Sequence, residues 1–197
     1  MQYFNTLPKI IKTDKNGVSN LMVNLMARCS VIPQILQSPL VYYSYDVQEG
    51  DTPEIIAYKY YGDSYRYWIV LYANQIVDPQ WHWPMVSSVF DNYVTNKYDF
   101  NPRNTVHHYE KIITKYDSTT LTTTTDKYII DEDSYNNLIT GTFNHSISTG
   151  PFTVTTDRRV VSYYDYEYEL NESYRNIRLL NVAYVGELEK EFKNLMV

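Results

Sequence analysis

The stretch YDVQEGDTPEIIAYKYYGDSYRYWIVLYAN (residues 45–74) predicts the end of a strand followed by two short helices. Asp51 or Thr52 can cap the first helix, because a short polar side chain there accepts a hydrogen bond from an unpaired backbone N–H group. Proline is tolerated in the first turn of a helix, and a glycine commonly ends one. The sequence therefore predicts a first helix over about Pro53–Tyr61, ended by Gly62.

The second predicted helix, over about Tyr65–Ala73, is apolar on nearly all of its sides. Asp63 or Ser64 can cap it, and Arg66 is its only charged residue. One stripe consists of Tyr65, Trp68, Ile69 and Tyr72, and the other sides carry Tyr67, Val70 and Leu71. A helix that is apolar all round is normally buried all round. A small unit covers one side of such a helix, so the rest of this chain, another chain, or both must cover the other side.

Alternation and helical spacing predict the elements around this stretch. The apolar residues of VSNLMVNLMARCSVI (18–32) predict an amphipathic helix, and VYYSYDV (41–47) alternates as a strand does. An aromatic loop, NQIVDPQWHWP (74–84), precedes a predicted helix in VSSVFDNYVTNKY (86–98). Residues 105–170 are rich in threonine, tyrosine and β-branched residues, which predicts several antiparallel strands.

The last part of the chain adds strands and a final helix. VVSYYDYEYEL (160–170) and YRNIRLLNV (174–182) are predicted strands, and VGELEKEFKNLM (185–196) is a predicted helix. STTLTTTT (118–125) is an edge strand or a loop, and NHSISTGP (144–151) is a predicted loop. The chain is therefore predicted to be α+β, with a mostly antiparallel β region in its C-terminal part that ends in a helix.

The composition excludes several classes of partner. The net charge is −6 and the basic residues form no run or stripe, so we expect no nucleic-acid partner. The longest apolar run, Trp68–Ala73, is far shorter than the ~20 residues of a membrane span, and no apolar signal segment begins the chain. A single cysteine, Cys29, excludes an internal disulfide and is expected to be a small buried hydrophobe. The 22 tyrosines indicate either a protein interface or a tyrosine-rich sheet.

Histidines offer a candidate metal site. It would combine His107 and His108 with His82 or His145. Neighbouring residues on a strand point to opposite faces, so His107 and His108 are not expected to chelate one ion. The segment DEDSYNN (131–137) lacks the glycine and the final glutamate of a calcium loop and is a predicted turn. We therefore expect no metal.

Carboxylates offer a candidate catalytic group. Asp165, Glu167 and Glu169 alternate with tyrosines, and a glycosidase needs two carboxylates at a set separation. On a strand the three acids would share one face, which is also the pattern of the solvent side of a half-buried sheet. No Ser-His-Asp, Cys-His, P-loop or GxGxxG motif is present. We therefore expect no enzymatic activity and no cofactor.

Residues 45–74 resemble a LysM module. The matching residues are Tyr45, Val47, Gly50, Asp51, Thr52, Ile56, Ala57, Tyr61, Gly62 and Asn74. The resemblance implies a β-α-α-β unit near residues 42–80, with two helices on one face of a two-stranded sheet. It also implies a sugar groove between two loops, which here consist of Gly50, Asp51, Thr52 and Pro53, and of Gln75, Ile76, Val77, Asp78 and Pro79.

Two departures from free-standing LysM modules lead to a narrower resemblance. DPQWHWP (78–84) and a predicted helix replace the usual closing strand, and the second helix is bulky and aromatic. With Tyr67, Trp68, Asn74, Asp78, Pro79, Trp83 and Pro84, the chain resembles the LysM-like baseplate wedge subunit of contractile-tailed bacteriophages, the wedge protein fifty-three family. The ending, residues 171–196, also resembles the end of that family.

The resemblance implies a structural virion protein of the tail baseplate that is assembled in the host cytoplasm and catalyses nothing. It would bind other wedge subunits, with hub or tail-tube proteins as further candidates, and would help to join wedges. The candidate partner interface consists of Tyr67, Val70, Leu71, Trp81 and Trp83. We expect Trp68→Ala to unfold the LysM-like unit, and Trp83→Ala to spare folding but impair assembly.

Three regions are expected along the chain. Residues 1–41 form an extended or helical arm, residues 42–100 the LysM-like domain with its following helix, and residues 101–197 a β-rich region with a terminal helix. The alternative function is a LysM module that binds peptidoglycan or chitin through the two groove loops. Carbohydrate thus stays a second candidate partner beside protein.

Overall fold

The computed structural model describes residues 3–27, 38, 40–147 and 150–196. The chain forms two compact units, which we call the first unit (Met1–Val86 with Asn171–Val197) and the second unit (Ser87–Leu170). Cys29 lies outside the described residues. The predicted α+β class, the mostly antiparallel sheets and the C-terminal helix are confirmed.

The first unit contains a hairpin, a second pair of strands and three α-helices. The hairpin strands pair antiparallel, and the strand near residue 45 pairs antiparallel with a strand close to the C-terminus. These elements are β1 (Lys9–Thr13), β2 (Ser19–Val23), β3 (Tyr42–Asp46), α1 (Pro53–Tyr61), α2 (Tyr67–Ala73), β8 (Asn176–Leu180) and α6 (Val182–Leu195).

Local capping fixes the bounds of α1, as the sequence predicted. The Thr52 side chain accepts a hydrogen bond from the backbone N–H of Ile55, and Pro53 occupies the first turn. Gly62 has φ 72° and donates its N–H to the carbonyl of Tyr58, which ends the helix.

The second predicted helix begins as a 3-10 turn, Ser64–Arg66, and continues as α2. Asp63 caps the turn by accepting the N–H of Tyr65 at 2.9 Å. Arg66 donates to the carbonyl of Tyr61 and to the Glu189 carboxylate, at 3.1 and 3.0 Å. The single charge of this segment therefore joins α1 and α6 to the start of α2.

The core of the first unit lies among α1, α2, α6 and the β3–β8 pair. Trp68 is 4% exposed, and its ring centroid lies 4.9 Å from Phe192 and 5.7 Å from Tyr3. Apolar burial of this kind stabilises a fold by about 1.5–3 kcal/mol per large side chain. The core also contains Val47, Ile56, Ala57, Tyr61, Ile69, Val70, Ala73, Trp83, Ile177, Leu179, Val185 and Met196.

The strand that completes the β3 sheet comes from the end of the chain. β8 pairs with β3 from Tyr42 opposite Leu180 to Asp46 opposite Asn176. All residues of the second unit lie between α2 and β8 in the sequence. The partner of β3 is therefore the strand predicted in residues 174–182, which follows the whole second unit in the sequence.

The second unit consists of a four-stranded antiparallel sheet with helices. The strand order is β5-β4-β7-β6, so β5 and β6 are the edge strands. The predicted helix in residues 86–98 and the predicted antiparallel strands are confirmed. The elements are α3 (Ser87–Lys97), β4 (Val106–Asp117), β5 (Thr122–Ile130), α4 (Glu132–Asn137), β6 (Gly141–Ile147), β7 (Gly150–Ser162) and α5 (Tyr163–Ser173), the last of which ends in the first unit.

The helix predicted in residues 18–32 is wrong over the residues that the structure describes there. Residues 19–23 form β2, which pairs with β1 around a turn in which the Gly17 N–H donates to Asp14. Gly17 has φ 79°, and Asn-Gly is a strong signal for a tight hairpin turn. The helical spacing of the apolar residues was therefore outweighed by the turn that precedes them.

The strand predicted in residues 160–170 is wrong beyond Ser162. The Ser162 hydroxyl accepts the N–H of Asp165, and the Asp165 carboxylate accepts the N–H of Ser162, at 3.1 and 3.3 Å. This reciprocal pair is a capping box, and it starts α5 where β7 ends. The alternating DYEYE pattern therefore lies on a helix.

Two shorter predictions are also corrected. Residues 144–147, predicted to be part of a loop, belong to β6 and pair with β7. DEDSYNN forms the short helix α4, because the Asp131 carboxylate caps it by accepting the N–H of Ser134 at 2.8 Å.

Candidate interaction surfaces

An apolar groove runs along one side of α2 in the first unit. Its volume is about 320 Å³, and none of the described residues that line it is charged. The lining side chains come from α2, from the loop that follows it and from the N-terminal segment: Tyr3, Phe4, Leu25, Ala27, Tyr67, Trp68, Leu71, Tyr72, Ile76 and Val77.

The predicted partner-interface residues separate into exposed and buried positions. Tyr67 and Leu71 are half-buried and line the apolar groove, and Trp81 is 55% exposed. Val70 is 0% exposed within the core. Trp83 is also buried, and its indole N–H donates to the carbonyl of Asp51 at 2.8 Å. This chain itself therefore covers Val70 and Trp83.

Asp51, in the first of the two predicted groove loops, is held by a network of hydrogen bonds. Its carboxylate accepts hydrogen bonds from the Lys59 ammonium at 2.6 Å, the Tyr45 hydroxyl at 2.7 Å and the Gln48 N–H at 3.3 Å. Burial alone would raise the pKa of Asp51, but these donors outweigh it and lower the pKa. Burial and Asp51 together raise the pKa of Tyr45 to about 12.

The second groove loop borders a separate cleft of about 360 Å³. Gln75, Ile76 and Val77 line it, together with Asn74, His82, Ser173, Tyr174, Asn176, Ile177 and Arg178. Asp78 instead accepts the N–H of Gln80 within a turn, and neither it nor Pro79 lines the cleft. Gly50, Asp51, Thr52 and Pro53 line neither this cleft nor the apolar groove. The two predicted groove loops therefore do not share either cavity.

The histidine pair departs from strand alternation. The Nδ1 atoms of His107 and His108 lie 2.7 Å apart, because a register irregularity between Val106 and His108 interrupts the pairing of β4 with β7. The expectation that the two rings point to opposite faces is therefore wrong. Among the described residues, no group of three or more metal-ligating side chains is present. His82 lies in the first unit, and the His145 side chain is outside the described residues.

The three acids of α5 have separate partners. Glu167 is buried and accepts hydrogen bonds from the Lys97 ammonium at 2.7 Å and the Tyr98 hydroxyl at 2.6 Å. Burial opposes the charge of Lys97, but the bond to Glu167 raises its pKa. Glu169 pairs with Arg159 and Lys127. Glu167 lies on the opposite side of the helix from Asp165 and Glu169, which are one turn apart, and Asp165 is bonded to Ser162 whereas Glu169 pairs with basic side chains.

A model of the phage base plate wedge protein 53 family matches residues 13–192. The chain belongs to this family. The match begins at Thr13, the last residue of β1, and ends at Phe192 within α6, so it includes the β3–β8 pair and the whole second unit. No curated protein matches the sequence.

Membership in the base plate wedge protein 53 family makes the chain a structural protein of the virion tail baseplate. The family is a structural one. Within the described residues, no helix combines the length and the apolar character needed to cross a bilayer.

Sequence reasoning missed part of the apolar groove of this wedge protein. Tyr3, Phe4 and Leu25 line it but precede α2 by at least forty residues, and helical spacing within α2 cannot indicate them. Phe4 is 56% and Leu25 67% exposed, and their apolar character in a short N-terminal segment was the available signal.

Proposed function

We propose that this wedge protein binds neighbouring wedge subunits, with hub or tail-tube proteins as further partners, and so joins wedges during baseplate assembly. The family supports a role in the baseplate, where a structural subunit acts through its contacts with other chains. The interface would use the apolar groove, with Tyr67 and Leu71 on one wall and Leu25 on the other.

The observation that carries this proposal is that one side of α2 is buried in the core and another side is only half-buried. Trp68, Ile69 and Val70 face the core of the first unit, whereas Tyr67 and Leu71 remain half-buried beside the groove. An uncharged groove of this kind favours an apolar partner segment, because burying a charge there without a partner group would be costly. Aromatic walls provide large contact area at a small loss of side-chain entropy.

The same proposal includes a LysM-like unit used for protein contact. β3, α1 and α2 follow one another as in a β-α-α-β module, and β8 would be the closing strand. The resemblance in residues 45–74 and the pairing of β3 with β8 support this assignment.

Co-sedimentation of the purified chain with the other baseplate proteins of the same phage tests the proposal. Leu25→Asp is expected to weaken the interaction roughly thirtyfold, because losing an apolar interface anchor costs about 2 kcal/mol. Leu25 is 67% exposed, so this variant is expected to fold normally. If wild-type protein sediments alone with every candidate partner, the proposal is wrong.

Leu40→Asp is the matched control. It makes the same substitution at a residue of the first unit that is 79% exposed and does not line the groove. Surface substitutions of this kind change stability by at most about 0.5 kcal/mol. Equal loss of binding in both variants would show that added charge, rather than the groove, causes the effect.

The cleft beside Gln75–Val77 favours carbohydrate as the second candidate ligand. Tyr174, His82 and Arg178 supply aromatic and polar groups there, as sugar sites require. The first groove loop favours it less, since the Asp51 carboxylate and carbonyl already have protein partners. Saturable retention on purified cell-wall sacculi, weakened by Tyr174→Ala, would support this candidate, and no retention would exclude it.

A further inference from the structure

The hairpin β1–β2 exposes apolar side chains on both of its faces. All ten strand residues are exposed. Ile11 lies opposite Leu21 on one face, and Ile10 lies opposite Met22 on the other. An isolated two-stranded hairpin is marginally stable in water. Apolar residues on both faces therefore indicate that another polypeptide surface covers this hairpin.

The hairpin is basic, although the whole chain is acidic. Residues 9–23 contain Lys9, Lys12 and Lys15 against one acid, Asp14, in a chain of net charge −6. The Asp14 carboxylate accepts the N–H groups of Asn16 and Val18, at 2.8 and 2.9 Å, within the turn. The surface that covers the hairpin should therefore combine apolar and acidic groups.

The second unit carries a surface with this combination at the edge strand β5. Tyr128 is 50% and Ile129 75% exposed at the end of the strand. The acids Asp131, Glu132 and Asp133 follow directly and are all exposed. Within the described part of the chain, no strand pairs with the outer side of β5. Such an edge presents backbone N–H and C=O groups to which another strand can bind.

We propose that the hairpin β1–β2 of one copy binds the β5 edge of a second copy. A hairpin strand would pair with β5, Ile11 and Leu21 would cover Ile129, and the lysines would face residues 131–133. A second copy is the occupant that the charges favour, because one chain carries both the basic apolar hairpin and the acidic apolar edge.

This contact is heterologous, since the two copies contribute different surfaces. Repetition of a heterologous contact gives a ring when the rotation closes and an open fibre when it does not. The inference rests on the proposed function, because it names a second copy as one neighbour through which wedges are joined. It uses the hairpin and β5, whereas the proposed contact with other baseplate proteins uses the apolar groove.

A charge exchange on the full chain tests the contact. Variant H carries Lys9→Glu, Lys12→Glu and Lys15→Glu, and variant E carries Glu132→Lys and Asp133→Lys. Variant E keeps Asp131, whose carboxylate caps α4. Sedimentation velocity at concentrations up to roughly 100 µM detects self-association with a Kd in the micromolar range.

Wild-type protein is expected to self-associate, and each variant alone to associate at least about tenfold more weakly, because like charges then face each other. An equimolar mixture of H and E restores opposite charges at both contacts and is expected to recover association. A wild-type protein that stays monomeric overturns the proposal, as does a mixture that shows no recovery. If the wild-type protein stays monomeric but still co-sediments with other baseplate proteins, this inference fails while the proposed function stands.

Cross-linking identifies the occupant. Ile11→Cys and Ile129→Cys, each introduced into a Cys29→Ser background and mixed, are expected to form a disulfide between two chains, and a variant with both cysteines in one chain tests pairing within that chain. A disulfide that forms only within a chain carrying both cysteines would mean that the hairpin covers its own β5, and this overturns the proposal. The proposal is also overturned if the hairpin binds another baseplate protein and the substitutions of variant E do not weaken that binding.

Discussion

Trp68 and Trp83 permit a matched test of the core of the first unit. Both indoles are buried, at 4% and 9% exposure, but only one has a hydrogen-bond acceptor. The Trp83 N–H donates to the Asp51 carbonyl at 2.8 Å, whereas the buried Trp68 N–H has no acceptor among the described residues. The same substitution, Trp→Phe, should therefore have different costs at the two positions.

Trp83→Phe removes the indole N–H and leaves the Asp51 carbonyl without this hydrogen bond, which should lower the free energy of unfolding by about 1–3 kcal/mol. Trp68→Phe loses ring contacts with Phe192 and Tyr3 but also removes a buried donor that has no acceptor. These two effects oppose each other, so we expect a change within about 1 kcal/mol. Trp68→Ala removes the same donor, but it also loses the whole ring and leaves a cavity, so it should cost about 3–5 kcal/mol.

Guanidinium unfolding measured by tryptophan fluorescence suits this test, because all three tryptophans lie in the first unit. Each Trp→Phe variant retains two of them, and far-UV circular dichroism checks that the same transition is followed. The expected order of unfolding free energies is wild type, Trp68→Phe, Trp83→Phe and Trp68→Ala. A Trp68→Phe variant less stable than Trp83→Phe would refute the reasoning. The sequence-based expectation that Trp83 is dispensable for folding is accordingly replaced by a predicted loss of stability.

Two further substitutions test single positions in the first unit. Burial raises the pKa of Asp51, but hydrogen bonds from Lys59 and Tyr45 outweigh it, so the folded-state pKa lies below the usual 3.8. Stabilisation by Asp51 is therefore present above the unfolded-state pKa and lost as the pH falls through the folded-state value. Asp51→Asn should be less stable near pH 7 and show a smaller loss on acidification to about pH 3, as measured by unfolding at both values. Gly62→Ala should cost about 1–2 kcal/mol in the same assay, because φ is 72° while the space around an added Cβ is open. A loss below about 0.3 kcal/mol would contradict the role of Gly62 as a left-handed cap.

Local signals were enough to predict the elements whose ends are capped by their own sequence. Thr52, Pro53 and Gly62 determine α1 through contacts within a few residues, and the structure has the helix at the predicted bounds. The capping box of Ser162 and Asp165 was an equally local signal, but it was outweighed by the alternating tyrosines and acids that follow. Caps were thus more informative than alternation where the two conflicted.

Long-range pairing could not be predicted from the same patterns. The strand in residues 174–182 was predicted, but no local feature indicates that it pairs with β3. The apolar groove as a whole could not be predicted from local patterns either, because its two walls come from the N-terminal segment and from α2. Tyr67 and Leu71 could be named as candidate interface residues because an excess of apolar sides on one helix is itself a local property, and their role at an interface stays a prediction.

The second unit interrupts the sequence of the first unit between Val86 and Asn171, and hydrogen bonds at this point explain why the first unit tolerates the insertion. Asn171, which is buried, accepts the N–H of Met85 at 2.7 Å and donates its side-chain amide to the Met85 carbonyl at 3.3 Å. These two bonds hold together the points where the chain leaves and re-enters the first unit. Insertions are tolerated where the flanking chain ends lie close together, since the loop-closure cost then rises only slowly with insert length. One chain can thereby carry a basic hairpin on the first unit and an acidic edge strand on the second. A head-to-tail contact requires that every copy carry both of the surfaces that meet. The hairpin lies on the first unit and the β5 edge on the inserted second unit, so the second surface is present without a change in the core of the first unit.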